Sequence, residues 1–221
     1  MSPELTRLLV QATLDTLQMV AVAASLGTLV GLPLGVFLAT SGRGELLAAP
    51  WANRVLGLVV NATRSTPFII LVVAIIPFTR LIAGTSIGTS AATVPLTVAA
   101  IPFIARLVEG AVREVDGGLV EAARAFGASP LQIVLKVLIP EALPGIVLGL
   151  TLAVVSLIGF SAMVGAVGGG GLGDLGIRYG YQRFMPEMML AVVVVLIVLV
   201  QLVQTLGDRL ARRMNKRLRH G

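Results

Sequence analysis

The 221-residue chain is strongly apolar: 56% of its residues are hydrophobic, 13% are charged, and the mean hydropathy is +0.95. This composition excludes an ordinary soluble domain and is typical of a membrane protein with several spans. The net charge of +6 comes without aromatic residues interleaved among the basic ones, which favours contact with membrane lipid over nucleic acid. The absence of cysteine excludes a disulfide framework and a cysteine-based metal site.

Uncharged apolar stretches predict the membrane-spanning helices. A helix needs about 20 residues to cross the hydrocarbon core. Four stretches are long enough, and they cover residues 16–40, 81–105, 142–173 and 188–207. Together with a less regular stretch after residue 54, they predict an all-α membrane protein with five transmembrane helices, in which residues 1–221 form one domain.

The less regular stretch covers residues 55–81 and is the predicted second span. Arg64 interrupts its apolar run, and Ser65-Thr66-Pro67 can begin a shorter helix that ends near Pro77. A charge inside a span is a functional hypothesis, whereas an arginine at the inner interface can extend its head group into water. The start of this span and the role of Arg64 therefore stay open.

Five crossings place the two termini on opposite sides of the membrane. The positive-inside rule assigns the basic C-terminal tail to the cytoplasm and the N-terminus to the outside. With this choice twelve of the seventeen basic residues fall inside and four outside, with Arg64 unassigned. The basic residues of the tail are Arg209, Arg212, Arg213, Lys216, Arg217 and Arg219.

Between the third and fourth spans, the segment EAARAFGASPLQIVLKVLIP (residues 121–140) predicts two short helices in place of a span. Residues 122–126 are good helix formers. Gly127 follows them and is suited to end the first helix in a left-handed cap.

The second helix of this segment has a marked start. Ser129 is a good N-cap, Pro130 fits the first helical position, and Gln132 completes a capping box. Pro140 is expected to limit how far the helix runs. Helical spacing predicts one apolar face, formed by Leu131, Val134, Leu135 and Leu138.

The same segment resembles the signature loop of ABC-importer permease subunits, which reads EAA, three residues, Gly, nine residues and then I-x-L-P. Here it is Glu121-Ala122-Ala123, Gly127 and the tetrapeptide VLIP at residues 137–140. Two positions depart from the pattern, Val137 for Ile and Ile139 for Leu, and both keep apolar character. Residues 64–88, 94–109 and 161–176 also resemble the methionine-uptake branch; the first 50 residues resemble it least.

The resemblance implies a type I ABC importer permease fold in a bacterial inner membrane, with a cytoplasmic coupling helix in a loop at residues 118–140. It implies a homodimer of the permease, two cytoplasmic ABC ATPase subunits and an extracytoplasmic methionine-binding protein. The loop would work mainly by packing, with Glu121 setting its orientation. The residues expected to contact the ATPase are Glu121, Ala122, Ala123, Phe126, Gly127, Ser129, Leu131 and Pro140.

The sequence offers no chemistry of its own for hydrolysis. No segment matches the ATP-binding loop G-x-x-x-x-G-K-[ST], so ATP hydrolysis is expected in a partner. Gly171, Gly173 and Gly176 spell G-x-G-x-x-G but follow a membrane span, so we interpret them as a tight extracytoplasmic loop with close backbone approach. The only histidine is His220, and we expect neither an enzyme nor a metal or other cofactor.

Two of three smaller features allow two interpretations each. Met163, near Ser161, is either a flexible plug in a translocation gate or a packing side chain. Arg106 and Glu109 are interpreted as a local interfacial ion pair worth a few tenths of a kcal/mol. Gly145 and Gly149 form a G-x-x-x-G that is either a contact between two permeases or a chance occurrence.

The leading functional hypothesis is a permease for methionine, L- and possibly D-, that forms the translocation path and is driven by a separate ATPase. The alternatives are a permease for another small polar amino acid, an ion-coupled secondary carrier and a scaffold without flux. Secondary carriers usually place ionisable residues in mid-span. The spans here are nearly free of charge, so energy is expected to enter through a cytoplasmic partner.

Overall fold

The computed structural model describes residues 3–214, and this part of the chain is helical and contains no β-strand. Two π-helical segments, Val134–Leu138 and Gly176–Gln182, continue short helices that end at Ile133 and Leu175. The tail residues Lys216, Arg217, Arg219 and His220 lie outside the described residues. The helices are α1 Pro3–Thr40, α2 Pro50–Ser65, α3 Phe68–Ala74, α4 Ile76–Ala83, α5 Thr89–Arg113, α6 Gly117–Ala125, α7 Pro130–Ile133, α8 Ile139–Gly165, α9 Gly171–Leu175 and α10 Pro186–Met214.

Four helical segments are long and apolar enough to cross a membrane, and they are Pro3–Thr40, Thr89–Arg113, Pro130–Gly165 and Pro186–Met214. Helices α2 and α3 pass the same test together, but they are bent by 104° relative to each other. When this pair is counted as one broken span, the total is the predicted five.

The second span breaks where the sequence allows a new helix start. Thr66 is extended, with φ −81° and ψ 125°, because the residue before a proline is disfavoured in the helical region. Pro67 is the N-cap of α3, which runs from Phe68 to Ala74. Pro77 lies in the first turn of α4, where its missing N–H costs no hydrogen bond. The continuous helix over residues 55–81 is therefore wrong, and the shorter helix ending near Pro77 is confirmed.

The third span begins eight residues later than predicted. Residues 81–83 belong to α4, which ends at Gly84 in the left-handed conformation (φ 72°), and α5 starts at Thr89. At its other end α5 continues past the uncharged stretch to Arg113, and Arg106 and Glu109 pair within the helix as expected. The fourth span is displaced too: its predicted range is residues 142–173, whereas its helix begins at Pro130 and ends at Gly165.

Helix α1 packs closely along α5 because three glycines in α1 face it. A Cβ atom on Gly31 would lie 2.8 Å from the carbonyl oxygen of Ile101, and one on Gly35 would lie 2.4 Å from that of Ala105. Gly27 continues the same stripe one turn earlier. Small residues at this spacing let two helix backbones approach, which is the usual packing mode inside a membrane.

Gly145 and Gly149 in α8 serve the packing of one protomer. A Cβ atom on Gly145 would lie 3.1 Å from the Cβ of Ala111, and one on Gly149 would lie 3.1 Å from the Cβ of Leu107. Both neighbours belong to α5 of the same chain. The interpretation of this G-x-x-x-G as a contact between two permeases is therefore wrong, since α5 already occupies the glycine face.

The glycine-rich segment after α8 folds back against the bundle. A Cβ atom on Gly173 would lie 2.3 Å from the carbonyl oxygen of Ala162, and the N–H of Leu172 donates to Thr16 Oγ1 at 2.8 Å. The expected close backbone approach is confirmed. Residues 171–175 nevertheless form the short helix α9, and no strand precedes it anywhere in residues 3–214.

Candidate coupling site

The loop between α5 and α8 begins with α6, which is capped at both ends. Asp116 is the N-cap, and its Oδ1 accepts from the N–H of Gly118 at 2.8 Å. At the other end Gly127 is left-handed (φ 77°), its N–H donates to Arg124 O, and the N–H of Ala128 donates to Ala123 O. These two bonds form a Schellman motif, so the predicted glycine cap is confirmed.

The first helix of the loop begins earlier than predicted. Its predicted start is Ala122, whereas α6 begins at Gly117. Asp116 was the available signal, since aspartate is a preferred N-cap. The two glycines that follow it have low helix propensity, and the cap hydrogen bond offsets that preference.

The second helix starts as predicted. The N–H of Ser129 donates to Gln132 Oε1 at 2.9 Å, and the N–H of Gln132 donates to Ser129 Oγ at 3.4 Å. Both bonds of the capping box are therefore present, with Pro130 in the first turn. Only Ala128 and Ser129 lie between the Gly127 cap and Pro130, so the two helices have a fixed relation to each other.

Pro140 does not end the second helix, contrary to the prediction. Helix α7 continues through the π-helical turn Val134–Leu138 into α8, which forms the fourth span. The N–H of Ile139 donates to Val134 O, five residues back. In a π turn the backbone is already wider, so a proline ring and its missing N–H are accommodated just after it.

The predicted apolar face is divided between two sides of the helix. Val134 and Leu138 are buried, whereas Leu131 and Leu135 are 58% and 56% exposed. Val134 and Leu138, with Ile133, anchor the loop to the bundle.

The exposed side of the loop carries four large apolar side chains. We call this set the outer apolar patch. Phe126 is 92% exposed, which is the highest exposure among the large apolar residues of the described chain. Exposed apolar side chains grouped on one segment are a candidate surface for binding a partner. The patch consists of Leu119, Phe126, Leu131 and Leu135.

The remaining predicted loop residues have different environments. Glu121 and Ala122 are exposed, whereas Ala123 is half-buried and packs against the core. Pro140 is exposed and lines a cavity that Glu114 and Met214 also line. Of the three EAA positions, the first two are thus available to a partner and the third supports the loop.

The two residues of the predicted gate lie in different environments. Met163 is 40% exposed. Ser161 is 2% exposed, and its hydroxyl donates to the carbonyl of Ile158 at 2.7 Å, so its polar group is already satisfied inside the protomer. Next to them Phe160 stacks on Phe68 of α3, with ring centroids 4.5 Å apart. Only Met163 presents a side chain outward.

The charged residues near the end of α5 form more than the expected local pair. Glu109 is 7% exposed and bonds to Arg106 on one side and to Arg113 on the other. Arg106, Glu109 and Arg113 lie at positions i, i+3 and i+7, a spacing that allows both ion pairs. The prediction from sequence included only Arg106 and Glu109. Arg64, at the end of α2, lies with its guanidinium carbon 6.0 Å from the ring centroid of Phe103.

Comparison with known proteins agrees with this architecture. The family described as binding-protein-dependent transport system inner membrane component matches residues 31–220. The chain is similar to the probable D-methionine transport system permease protein MetI of Vibrio cholerae, with 57% identity over 95% of this chain and 93% of that protein. The corresponding protein of Pasteurella multocida is 47% identical over 98% of this chain and 100% of its own length.

A solved structure matches the fold over nearly all of the chain. A chain of the inward-facing MetNI methionine ABC transporter superposes with a TM-score of 0.95 at 50% identity, covering 98% of this chain and 100% of that one. The expected type I importer permease fold is confirmed. The protein belongs to the family of binding-protein-dependent transport system inner membrane components.

Proposed function

We propose that this chain is the transmembrane permease subunit of an ATP-driven ABC importer for methionine, with both the L and the D enantiomer as substrates. The observation that carries the proposal is the match over the whole fold to a chain of the MetNI methionine ABC transporter. The names of the 57% and 47% identical relatives support the same substrate. Two copies of the chain form the translocation path between them.

Energy reaches the permease through a partner. The chain contains no ATP-binding loop, so hydrolysis belongs to two cytoplasmic ABC ATPase subunits, and an extracytoplasmic binding protein delivers methionine. The ATPase subunits bind the outer apolar patch. Glu121 and Ala122, which are exposed beside it, complete that surface, and Glu121 sets the orientation of docking.

Magnitudes favour packing over ion pairs as the means of coupling. Reversing a two-state equilibrium from 1:99 to 99:1 takes about 5.5 kcal/mol of differential binding. An exposed ion pair supplies only about 0.2 to 1 kcal/mol. Burying one phenylalanine side chain supplies about 1.5 to 3 kcal/mol before the entropic cost of association is subtracted, so the loops of two protomers together reach about 3 to 6 kcal/mol. Phe126 is the side chain best placed to supply this.

The transport cycle follows from this contact. ATP binding closes the two ATPase subunits and draws the two coupling loops together. Because α7 is continuous with α8, a displaced loop moves the fourth span directly. The spans then rotate and open the path outward. Met163 narrows the path in the closed state, since a flexible thioether can fill an irregular gap.

We further propose that the coupling loop and the C-terminus are cytoplasmic and that the N-terminus is extracytoplasmic. The chain has no cysteine, so single cysteines report the orientation without background. Ala125→Cys lies in the coupling loop and Gln182→Cys in the segment before α10, and both positions are exposed. A membrane-impermeant maleimide is expected to label Gln182→Cys in intact cells and Ala125→Cys only after the inner membrane is opened. Labelling in the reverse order would refute this orientation.

Uptake in cells tests whether methionine is the substrate. Cells lacking this chain and any other methionine importer are expected to lose accumulation of labelled L-methionine at low external concentration, and a plasmid copy of the chain should restore it. Labelled D-methionine should compete in the restored cells. Unchanged uptake in the deleted cells would reject methionine, and loss of a different amino acid in its place would identify another polar substrate.

A further inference from the structure

A buried carboxylate lies at the end of α5 that adjoins the coupling loop. Glu109 is 7% exposed, its Oε2 accepts from Arg106 Nη1, and its Oε1 accepts from Arg113 Nη2 at 3.0 Å. A carboxylate removed from water is stable only when it is paired in this way. Both arginines are thereby held in fixed orientations along α5.

Each arginine also reaches a neighbouring helix. Arg106 Nη2 donates to the carbonyl of Gly57 at 3.2 Å and to Asn61 Oδ1 at 2.9 Å, both on α2. Arg113 Nη2 donates to the carbonyl of Leu38 on α1 at 3.4 Å. Glu109 and the two arginines therefore connect α5 to α2 on one side and to α1 on the other. We call this set of residues the Glu109 clamp.

Helix α2 depends on these polar bonds because apolar packing holds it weakly. Val60 is its only buried residue. Its large apolar side chains point away from the protomer: Trp51 is 77% exposed, Leu58 62% and Val59 58%. Within the protomer, side-chain hydrogen bonds therefore help to hold α2 in place. Those from Arg106 join it to α5. At the start of α2, Asn53 Nδ2 donates to the carbonyl of Leu38 at 2.8 Å and to Ser41 Oγ at 3.0 Å.

The Glu109 clamp lies between the coupling loop and the region around Met163. Arg113 is the last residue of α5, and α6 of the loop begins four residues later at Gly117. On the far side α2 leads through its 104° bend into α3. There Phe68 stacks on Phe160 of α8, three residues before Met163.

We infer that the Glu109 clamp makes α1, α2 and α5 move as one body when the coupling loop is displaced, and that Arg106 and Asn61 are positioning residues for this movement. The inference rests on the proposed function, because it assigns a route by which loop movement reaches the gate. Without the bonds from Arg106 to α2, the loop would still bind the ATPase and move α5. Helices α2 and α3 would then not follow the movement of α5.

Two variants of Asn61 isolate the bond between the Arg106 and Asn61 side chains, and the bond from Arg106 to the carbonyl of Gly57 is available in both. Asn61→Asp keeps an acceptor oxygen for Arg106, whereas Asn61→Leu has nearly the same size and no acceptor. In proteoliposomes of the complete transporter, Asn61→Leu should lower the methionine transported per ATP hydrolysed by roughly tenfold, the scale for losing a hydrogen bond to a charged group. ATP hydrolysis and the thermal midpoint should stay unchanged. Asn61→Asp should keep the wild-type ratio.

A distance measurement tests the same inference without using transport. Spin labels on Leu58→Cys in α2 and Gly110→Cys in α5 should keep one distance with and without ATP in the wild-type background, and Asn61→Leu should broaden or shift it. Both positions are exposed, and a side chain at Gly110 meets no neighbour within 4 Å.

The outcomes separate the two proposals. A wild-type ratio in Asn61→Leu, an equal loss in both variants, or a wild-type label distance that changes with ATP would each overturn the clamp. A parallel loss of uptake and hydrolysis would also overturn it, because that result means failed ATPase docking. Absence of methionine uptake by the unaltered complex would reject the proposed function, and the label distances would then decide the clamp alone.

Discussion

Replacing Phe126 with alanine is expected to release the ATPase subunits while leaving the permease folded. The side chain is 92% exposed, so it contributes almost nothing to the stability of its own chain. A fully buried aromatic residue at an interface commonly costs 2 kcal/mol or more when truncated, which corresponds to about a 30-fold weaker dissociation constant. Titration of the purified permease with its ATPase measures this change directly.

The chain offers a matched control for this variant. Phe184 is 85% exposed and lies before α10, at the opposite end of α8 from the coupling loop. Phe184→Ala removes the same atoms but should leave ATPase affinity within about twofold of the wild type, the range expected of a surface change away from the interface. Equal affinities for both variants would show that the outer apolar patch is not the docking surface.

Replacing Gly127 with valine should reduce methionine uptake by about 5-fold to 30-fold. Gly127 has a φ of 77°, and a Cβ atom there would meet nothing within 4 Å, so the substitution acts through backbone conformation alone. Left-handed geometry costs an ordinary residue about 1 to 2 kcal/mol, and a β-branched residue is worse placed still. The Schellman motif at the end of α6 would open, and Phe126 would lose its fixed direction.

Asparagine is the control at this position because it adopts the left-handed conformation with little strain. Gly127→Asn should retain most of the uptake, measured beside Gly127→Val at equal amounts of protein in the membrane. Gly127→Asp tolerates the same geometry and so tests the effect of an added charge. Uptake that survives in Gly127→Val would contradict a coupling role for the shape of the loop.

The helix caps of the coupling loop could be predicted because their signals are local. The left-handed Gly127 and the reciprocal bonds of Ser129 and Gln132 involve residues at most five positions apart. The π turn that carries the helix past Pro140 could not be predicted this way. It positions Val134 and Leu138 against the core, so it is decided by tertiary packing, which outweighs the local preference of proline to end a helix.

The Glu109 clamp shows the same limit for charged residues. Spacing within α5 indicates that Arg106 and Glu109 can pair. The bonds from Arg106 to Gly57 and Asn61 span 49 and 45 residues of sequence, so no local pattern contains them. Because these charges pair, α5 extends beyond the uncharged stretch that ends at residue 105. A helix that contains paired charges can therefore be longer than its uncharged stretch.

The source of energy for uptake is the most direct test of the account. Proteoliposomes should contain either this chain alone or the chain with its ATPase and the methionine-binding protein, and each sample should be supplied with ATP or with a proton or sodium gradient. We predict methionine uptake only in the complete complex with ATP, unaffected by collapsing either gradient. Uptake by the chain alone, driven by a gradient without ATP, would contradict the account and identify an ion-coupled carrier.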